Sequence, residues 1–419
     1  MNTVETCIVN MWTVLARILS SLMLSTARSV IDFPVHLGRA YTGNEQDICK
    51  EIGGLVTEKG YPFERHHVNT EDGYIIEMHR IPHGRRPCPD PCHRTPIFLL
   101  TGLLADSTSF VMDYPEQSLG FVLPDNGYDL WLGNGRGNTF GRLHKRISSD
   151  SKDFWNFTFH EHALYDIPAQ IDYILDKTKS KSLLYIGLSQ GTLEFFTLLS
   201  ERPSYNEKIR AFAGLAPFHK LAHIRVGGLT IIKPYMRRFL ENVDNVGMLE
   251  FGHRRYSTLK VVRAVCALPV RRVCALAGDA FINMGSKYMN MSRLPVYLCH
   301  FPAGTSVKNM LHFEQLIASK RAQKFDYGPE VNSEVYGQVD PPEYTLGNVR
   351  TDVGLFWSKG DQFVPPEDVE ELAAALGERV KKTHYIDDPF YTHMHFAVSN
   401  NNPTVLYKDL QEFLGRYIK

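Results

Sequence analysis

Gly187-Leu188-Ser189-Gln190-Gly191 is where residue types and spacing speak most directly of chemistry. A strand-like run, Leu183 to Ile186, precedes it, and a helix-like run, Thr192 to Leu199, follows it. A serine on a strained strand-to-helix turn presents its hydroxyl in the open, and flanking glycines remove the crowding that side chains would cause. The five-residue pattern alone is common by chance. The strand before it and the helix after it give it the context of a nucleophile elbow, with Ser189 as the candidate nucleophile. A serine hydroxyl is a poor nucleophile at neutral pH. It needs an imidazole to take its proton and a carboxylate to hold that imidazole in the right tautomer.

In an elbow of this kind the acid and then the histidine follow the serine along the chain. Asp361 comes directly after a candidate core strand, Gly354 to Trp357, where ligand-facing residues collect in open sheets; Asp352, Asp387 and Asp388 lack that placement. His393 and His395 both lie in Tyr391-Thr392-His393-Met394-His395-Phe396, and residue type does not choose between them. Thr101-Gly102-Leu103-Leu104 follows the strand-like Ile97 to Leu100 and occupies the place of an oxyanion loop. The backbone N–H of Leu103, with that of Gln190, would then face the developing alkoxide. Losing one such donor costs about 100- to 1,000-fold in rate.

The elements that must hold these residues read as strands alternating with helices. Pro62 to Pro82 predicts a β-hairpin turning at Glu71-Asp72-Gly73. Ile97 to Leu100, Tyr128 to Leu132, Leu183 to Leu188 and Gly354 to Trp357 predict buried strands, and Ala163 to Lys177 and Thr192 to Leu199 predict helices. The expected class is α/β with a mostly parallel central sheet. From about His219 to Tyr344 the pattern turns apolar and basic, with candidate helices such as Thr258 to Leu268. The reading is a core over 45–218 and 345–419, interrupted by a mainly helical cap over 219–344.

Composition narrows the partners. Lys plus Arg and Asp plus Glu are 46 each in 419 residues, so no overall field favours nucleic acid or an anionic membrane. Ile8 to Leu24 is largely apolar and ends at the small residues Ser25-Thr26-Ala27, which predicts a signal peptide over 1–27 and export. Beyond it no apolar run approaches the roughly 20 residues that span a bilayer, so no transmembrane anchor is expected. Among seven cysteines, Cys88 with Cys92 and Cys266 with Cys274 form close pairs. Neither pair sits among zinc-type ligands, and in an exported chain both are disulfide candidates. Neither a metal nor a cofactor is expected. Asn156-Phe157-Thr158 and Asn290-Met291-Ser292 are glycosylation triplets.

In this order the motifs resemble the acid lipase family of gastric and lysosomal lipases, within the α/β-hydrolase superfamily. The resemblance covers nearly all of the chain after the signal segment. It rests on Thr70-Glu71-Asp72-Gly73-Tyr74, the oxyanion loop, Gly127-Tyr128-Asp129-Leu130-Trp131-Leu132-Gly133-Asn134, Arg136-Gly137-Asn138 and the elbow. Pro302-Ala303-Gly304-Thr305-Ser306-Val307 and the segments of Asp361 and His393 complete it. The resemblance implies a Ser189, Asp361, His393 triad, oxyanion donors at Leu103 and Gln190, and a cap with a movable lid. It also implies hydrolysis of neutral lipid esters, triacylglycerol or cholesteryl ester, at a lipid–water interface, by a secreted or lysosomal enzyme.

Leu188 and Thr101 stand where the family usually has histidine, and His395 where an aspartate is common. The first two replacements predict altered pocket polarity. Arg254, Arg255, Lys260, Arg263, Arg271 and Arg272 form a basic set suited to an anionic lipid surface, and Met284, Met289 and Met291 suit acyl chains, although a solvated face and ordinary packing explain both equally well. Two readings compete: a lipase-like protein that binds lipid or protein without turnover, and a small-ester esterase or acyltransferase.

Overall fold

The computed structural model describes residues 47–86, 94–245, 247, 249–253, 283–285 and 287–418. The signal segment, the cysteine pairs 88/92 and 266/274, the candidate helix 258–268 and the basic set from Arg254 to Arg272 lie outside the described residues.

Helix α1 (Ile52–Thr57) leads into the hairpin of β1 (Glu64–Asn69) and β2 (Tyr74–Ile81), whose register runs from Glu64 opposite Arg80 to Asn69 opposite Ile75. Gly73 closes the turn at a φ of 107°, a conformation that glycine adopts without strain. There follow β3 (Pro96–Leu100), α2 (Leu119–Asp125), β4 (Asp129–Leu132), β5 (Leu143–His144), α3 (Ile167–Thr178), β6 (Leu183–Leu188), α4 (Gln190–Glu201) and β7 (Ile209–Leu215). After β7 the chain leaves the sheet for α5 (Gly227–Asn245), the short pair β8 (Glu250–Phe251) and β9 (Thr305–Ser306), and helices α6 (Leu294–His300), α7 (Val307–Ser319) and α8 (Pro329–Tyr336). It returns with β10 (Asp352–Ser358), α9 (Pro366–Leu376), β11 (Val380–Ile386) and α10 (Tyr407–Gly415).

The main sheet runs β1-β2-β4-β3-β6-β7-β10-β11, with β5 beside β2, and is parallel from β4 to β11. Successive side chains of a strand face opposite ways. Ile97, Leu99, Leu184 and Ile186 join one apolar cluster with Leu119, Phe121, Leu410 and Phe413, whereas Phe98, Leu100, Leu183 and Tyr185 join another with Ile171, Phe195 and Leu372. Both faces are therefore covered by helices, which is why these strands read as unbroken apolar runs. The α/β expectation and the mainly helical interruption between the two parts of the sheet match this architecture.

Three details depart from the sequence reading. Strand β7 was not expected, because Arg210 and Gly214 interrupt its apolar pattern; Arg210 sits at the strand entrance and donates to the carbonyl of Tyr417 at 2.6 Å. The helix predicted from Ala163 begins with a π turn over His162–Asp166. Pro168 supplies no N–H and its ring crowds the carbonyl four residues back, and the wider turn accommodates both. Finally, the described disulfide joins Cys49 to Cys299, 250 residues apart in sequence with Cα atoms 5.2 Å apart, which ties the segment before α1 to helix α6. Neither cysteine has a close neighbour in sequence, so spacing concealed the pairing.

Candidate active site

Ser189 joins β6 to α4 at φ 54° and ψ −117°, outside the regions that L-residues ordinarily occupy. The surrounding glycines permit this turn. A Cβ on Gly187 would come within 2.7 Å of the Gly191 carbonyl oxygen, and one on Gly191 within 2.9 Å of the carbonyl oxygens of Leu100 and Thr101. The turn is held by the Ser189 N–H donating to the Leu215 carbonyl at 3.0 Å, and by the N–H and hydroxyl of Thr192 donating to the Ser189 carbonyl at 2.8 and 2.7 Å. The spacing of glycine around the serine is thus a steric requirement of two strand ends meeting one helix start.

The His393 Nε2 lies 2.8 Å from the Ser189 Oγ, and its Nδ1 lies 2.7 Å from the Asp361 Oδ2. With the proton on Nδ1 donated to Asp361, Nε2 is free to accept from the serine hydroxyl. Asp361 is buried, and its other oxygen accepts from the N–H groups of Phe363 and Val364, both at 2.9 Å. Those bonds fix the carboxylate at the end of β10. The Phe363 ring packs 5.1 Å from the imidazole. The rival carboxylates are engaged elsewhere: Asp352 with the Tyr417 hydroxyl, Asp387 with Lys359, and Asp388 with the Phe390 N–H and the Tyr288 hydroxyl.

His395 faces away from the serine. Its Nδ1 accepts from the Thr392 N–H at 2.8 Å, and its Nε2 donates to the Gly285 carbonyl at 2.6 Å. Burial drives its pKa down to about 4 against a smaller opposing effect of the Gly285 bond, so this imidazole stays neutral at neutral pH. A neutral imidazole nitrogen can accept from a backbone N–H as a carboxylate oxygen does, so the turn that carries His393 is closed without an aspartate.

Gly102 packs against the nucleophile: a Cβ there would lie 2.9 Å from the Ser189 Cβ. The next residues form a tight loop, with the Ala105 N–H donating to the Gly102 carbonyl at 3.2 Å and Leu104 at a φ of 61°. The Ala303 N–H donates to the Leu104 carbonyl at 2.6 Å. Gln190 is the first residue of α4, where an N–H has no partner within its own helix. The Thr101 and Leu188 side chains are both buried, and the Thr101 hydroxyl has no hydrogen-bond partner among the described residues.

Behind the elbow lies a polar cluster that the sequence did not disclose. The Gln190 carboxamide donates to the Glu194 Oε1 at 2.6 Å and accepts from Asn309 Nδ2 of α7 at 3.1 Å; the His162 Nδ1 lies 2.8 Å from the same Glu194 oxygen. Burial raises the Glu194 pKa, with His162 opposing it. Glu194 in turn raises that of His162 against the effect of burial. Helical spacing would have put Gln190 and Glu194 on one face, but their partners come from distant segments.

Of the other predicted residues, Asn156 is exposed and its side-chain oxygen accepts from Lys308 at 2.8 Å, while the Asn290 Oδ1 accepts from the Ser292 N–H and hydroxyl. Met284 and Met289 are buried in one of the two main apolar clusters, and Met291 packs against it. Among the described residues no group of three or more His, Cys, Asp or Glu is placed to hold a metal ion, and no helix is long and apolar enough to cross a membrane.

Residues 95–396 match the family described as "alpha/beta hydrolase fold", and residues 52–114 match a partial alpha/beta-hydrolase lipase region. The chain is 34% identical over 381 residues to human gastric triacylglycerol lipase, covering 90% of this chain and 94% of the relative. It is 36% identical to mouse lipase member K over 366 residues, 86% and 89% of the two chains. To bovine gastric triacylglycerol lipase it is 37% identical over 379 residues, 87% and 91% of the two.

Proposed function

Because this chain belongs to the acid-lipase-like α/β-hydrolase family, a family of serine esterases and lipases, we propose that it hydrolyses carboxylic esters of neutral lipids through Ser189, His393 and Asp361. The observation that carries the reading is the continuous hydrogen-bonded line from the Ser189 Oγ through the imidazole to the buried Asp361, at a strained strand-to-helix turn.

His393 takes the Ser189 proton as Oγ attacks the ester carbonyl, and Asp361 stabilises the imidazolium that forms. The N–H groups of Leu103 and Gln190 receive the tetrahedral oxyanion. The imidazolium gives its proton to the departing alcohol and leaves an acyl-serine; a water, deprotonated by the same imidazole, releases the fatty acid. No step draws on a metal or cofactor. The insertion read as 219–344 would act as a cap over the site and carry the lid. The names of the relatives favour triacylglycerol, and cholesteryl ester is the second candidate. The buried Thr101 hydroxyl and the apolar Leu188 beside the nucleophile would tune pocket polarity, not the catalytic atoms.

Export to the secretory route, to the medium or the lysosome, is supported by the signal-like segment over 1–27 and by a disulfide that joins distant parts of the chain, since such bonds persist in oxidising compartments. The exposed Asn156 would take a glycan more readily than the half-buried Asn290.

The test is fatty acid release from emulsified triolein and cholesteryl oleate and from a soluble short-chain ester, each beside Ser189→Ala. Release from the emulsions that disappears in the variant is expected. Turnover of the soluble ester alone would favour a small-ester esterase. A folded wild type that neither hydrolyses an ester nor reacts with a serine-directed phosphonate would replace this reading with that of a binding protein.

A further inference from the structure

The two loops that deliver Asp361 and His393 come from different strand ends, after β10 and after β11, and something must hold them in register. They meet directly, through the Ser358 hydroxyl on the Tyr391 carbonyl at 2.7 Å and the Lys359 N–H on the Ile386 carbonyl at 3.0 Å, and one side-chain atom from outside both also bridges them. The Asn283 side-chain oxygen accepts from the N–H of Gln362, the residue after Asp361, at 3.0 Å, and from the N–H of His393 itself at 3.3 Å. Asn283 belongs to the insertion between β7 and β10, not to the sheet. It is 4% exposed.

Its neighbours make the same crossing. The Gly285 carbonyl accepts from His395, and Gly285 has no room for a side chain, since a Cβ there would meet the Thr392 Oγ1 at 2.4 Å and the His395 Cε1 at 2.5 Å. The Tyr288 carbonyl accepts from the Asn400 N–H at 2.9 Å, and its hydroxyl donates to Asp388. On the far side of the acid loop, the Arg225 N–H donates to the Gln362 carbonyl at 2.8 Å. Gln362 is thus held at both ends of its peptide by residues of the insertion.

We infer that Asn283 is a positioning residue for the reaction: its carboxamide oxygen, by bridging the backbones of Gln362 and His393, sets the separation of the carboxylate from the imidazole. This inference rests on the proposed Ser189, His393, Asp361 chemistry. Asn283 has a φ of 46°, a left-handed conformation that asparagine tolerates better than most residues, and its side-chain oxygen reaches backbone N–H groups 79 and 110 positions away. The site therefore calls for a residue that both accepts left-handed backbone and ends in a hydrogen-bond acceptor; glycine meets the first condition only. Aspartate meets both, and because a second anion near Asp361 also raises the imidazole's pKa, its rate is read on the high-pH plateau of the pH profile. With the bridge removed the imidazole and carboxylate can drift relative to Ser189, and displacements near 1 Å cost about 100-fold in rate.

The experiment compares wild type, Asn283→Gly and Asn283→Asp on a soluble ester, with turnover expressed per site titrated by a serine-directed phosphonate. Loss of folded protein then lowers the titre and leaves kcat per site unaffected. Asn283→Gly is expected to lose about 10- to 100-fold in kcat with KM within about twofold of wild type, and Asn283→Asp to recover most of that loss. Should the glycine variant yield no titratable sites, Asn283→Ser, whose hydroxyl ends short of the two amides, takes its place with the same expectation. Equal kcat per site in wild type and the acceptor-free variant would overturn the inference, as would an aspartate variant no better than glycine or serine. Absence of turnover in wild type would instead strike at the ester hydrolase reading.

Discussion

At the scale of single residues, the site separates two histidines that are chemically identical in sequence and two positions apart. His393 bridges a serine and a carboxylate, while His395 bridges two backbone groups. Their alanine variants should therefore fail differently. His393→Ala is expected to lose at least about 1,000-fold in kcat; it also leaves the buried Asp361 Oδ2 without its imidazole partner, so it melts lower too, and the loss of turnover is what marks the base. His395→Ala deprives the Thr392 N–H and the Gly285 carbonyl of a partner, each worth about 1–3 kcal/mol when buried; it should melt several degrees lower while its folded fraction still turns over ester. Thermal melts read beside phosphonate-titrated rates separate the two, and the reverse pattern would transfer the role of base to His395. Ser189 and Asp361 were legible because each sits in a short contiguous pattern after a strand. The choice of His393 over His395 came only from the family resemblance, because residue type does not reveal which nitrogen faces which loop. Asn283 and the His162–Glu194 pair gave no signal, since their partners lie from 32 to 110 positions away along the chain.

At the scale of elements, most of the sheet could be read because strands buried on both faces carry unbroken apolar runs, as β3 and β6 do throughout and β4 and β10 do past the aspartates at their entrances. Strand β7 escaped because Arg210 is its second residue and the run that follows, Ala211 to Leu215, sets two alanines and a glycine, residues with little strand preference, around one phenylalanine. Cysteine pairing escaped because closeness in sequence is a poor guide to closeness in space. The Cys49–Cys299 bond works with Arg293, whose guanidinium reaches Asp47 at 2.9 Å, so the segment before α1 is joined to α6 covalently near the helix's end and by charge just before its start. This fastens one flank of the insertion to the core. Closing so long a loop restricts the unfolded chain, and removing a native disulfide typically costs about 2–5 kcal/mol. Cys49→Ser with Cys299→Ser should lower the melting temperature by several degrees. Ester turnover well below the new melting point should be retained, because the hydrogen bonds joining Ser189, His393 and Asp361 involve neither cysteine. Unchanged melting under non-reducing conditions would mean that the bond contributes nothing to the fold.

At the scale of the whole molecule, the buried titratable groups bear on how far the fold tolerates acid. His219 and His395 are held down to about 4 and His312 to about 3, in each case chiefly by burial. The His312 ring stacks on Phe159 at 4.3 Å and bonds the Gln323 carbonyl, which leaves no room for a hydrated cation. A histidine whose folded pKa lies below its unfolded value of roughly 6.5 contributes stability that is complete above that value and is lost as pH falls toward the folded pKa. The unfolded chain takes up the proton first. Each such group can cost on the order of 3 kcal/mol across the window from about pH 6.5 to about 4. Carboxylates with lowered pKa values, such as Asp72 held by Arg136 against burial, add their loss below about pH 4. The His162–Glu194 pair acts in the other direction, because both pKa values are raised, and acid favours its protonated form. With five lowered histidines, His79 and His160 beside these three, against the coupled pair and the raised Asp368, stability should peak near neutrality. Melting temperature measured from pH 7.5 to pH 4.5 is expected to fall continuously below about pH 6.5, and replacement of His312 by a neutral residue of similar shape, His312→Gln, should flatten that decline at the expense of stability at pH 7. A melting temperature that held constant or rose toward pH 4.5 would mean that these imidazoles are already protonated in the folded chain, and the neutral hydrogen-bond pattern assigned to His395 would have to be redrawn with them.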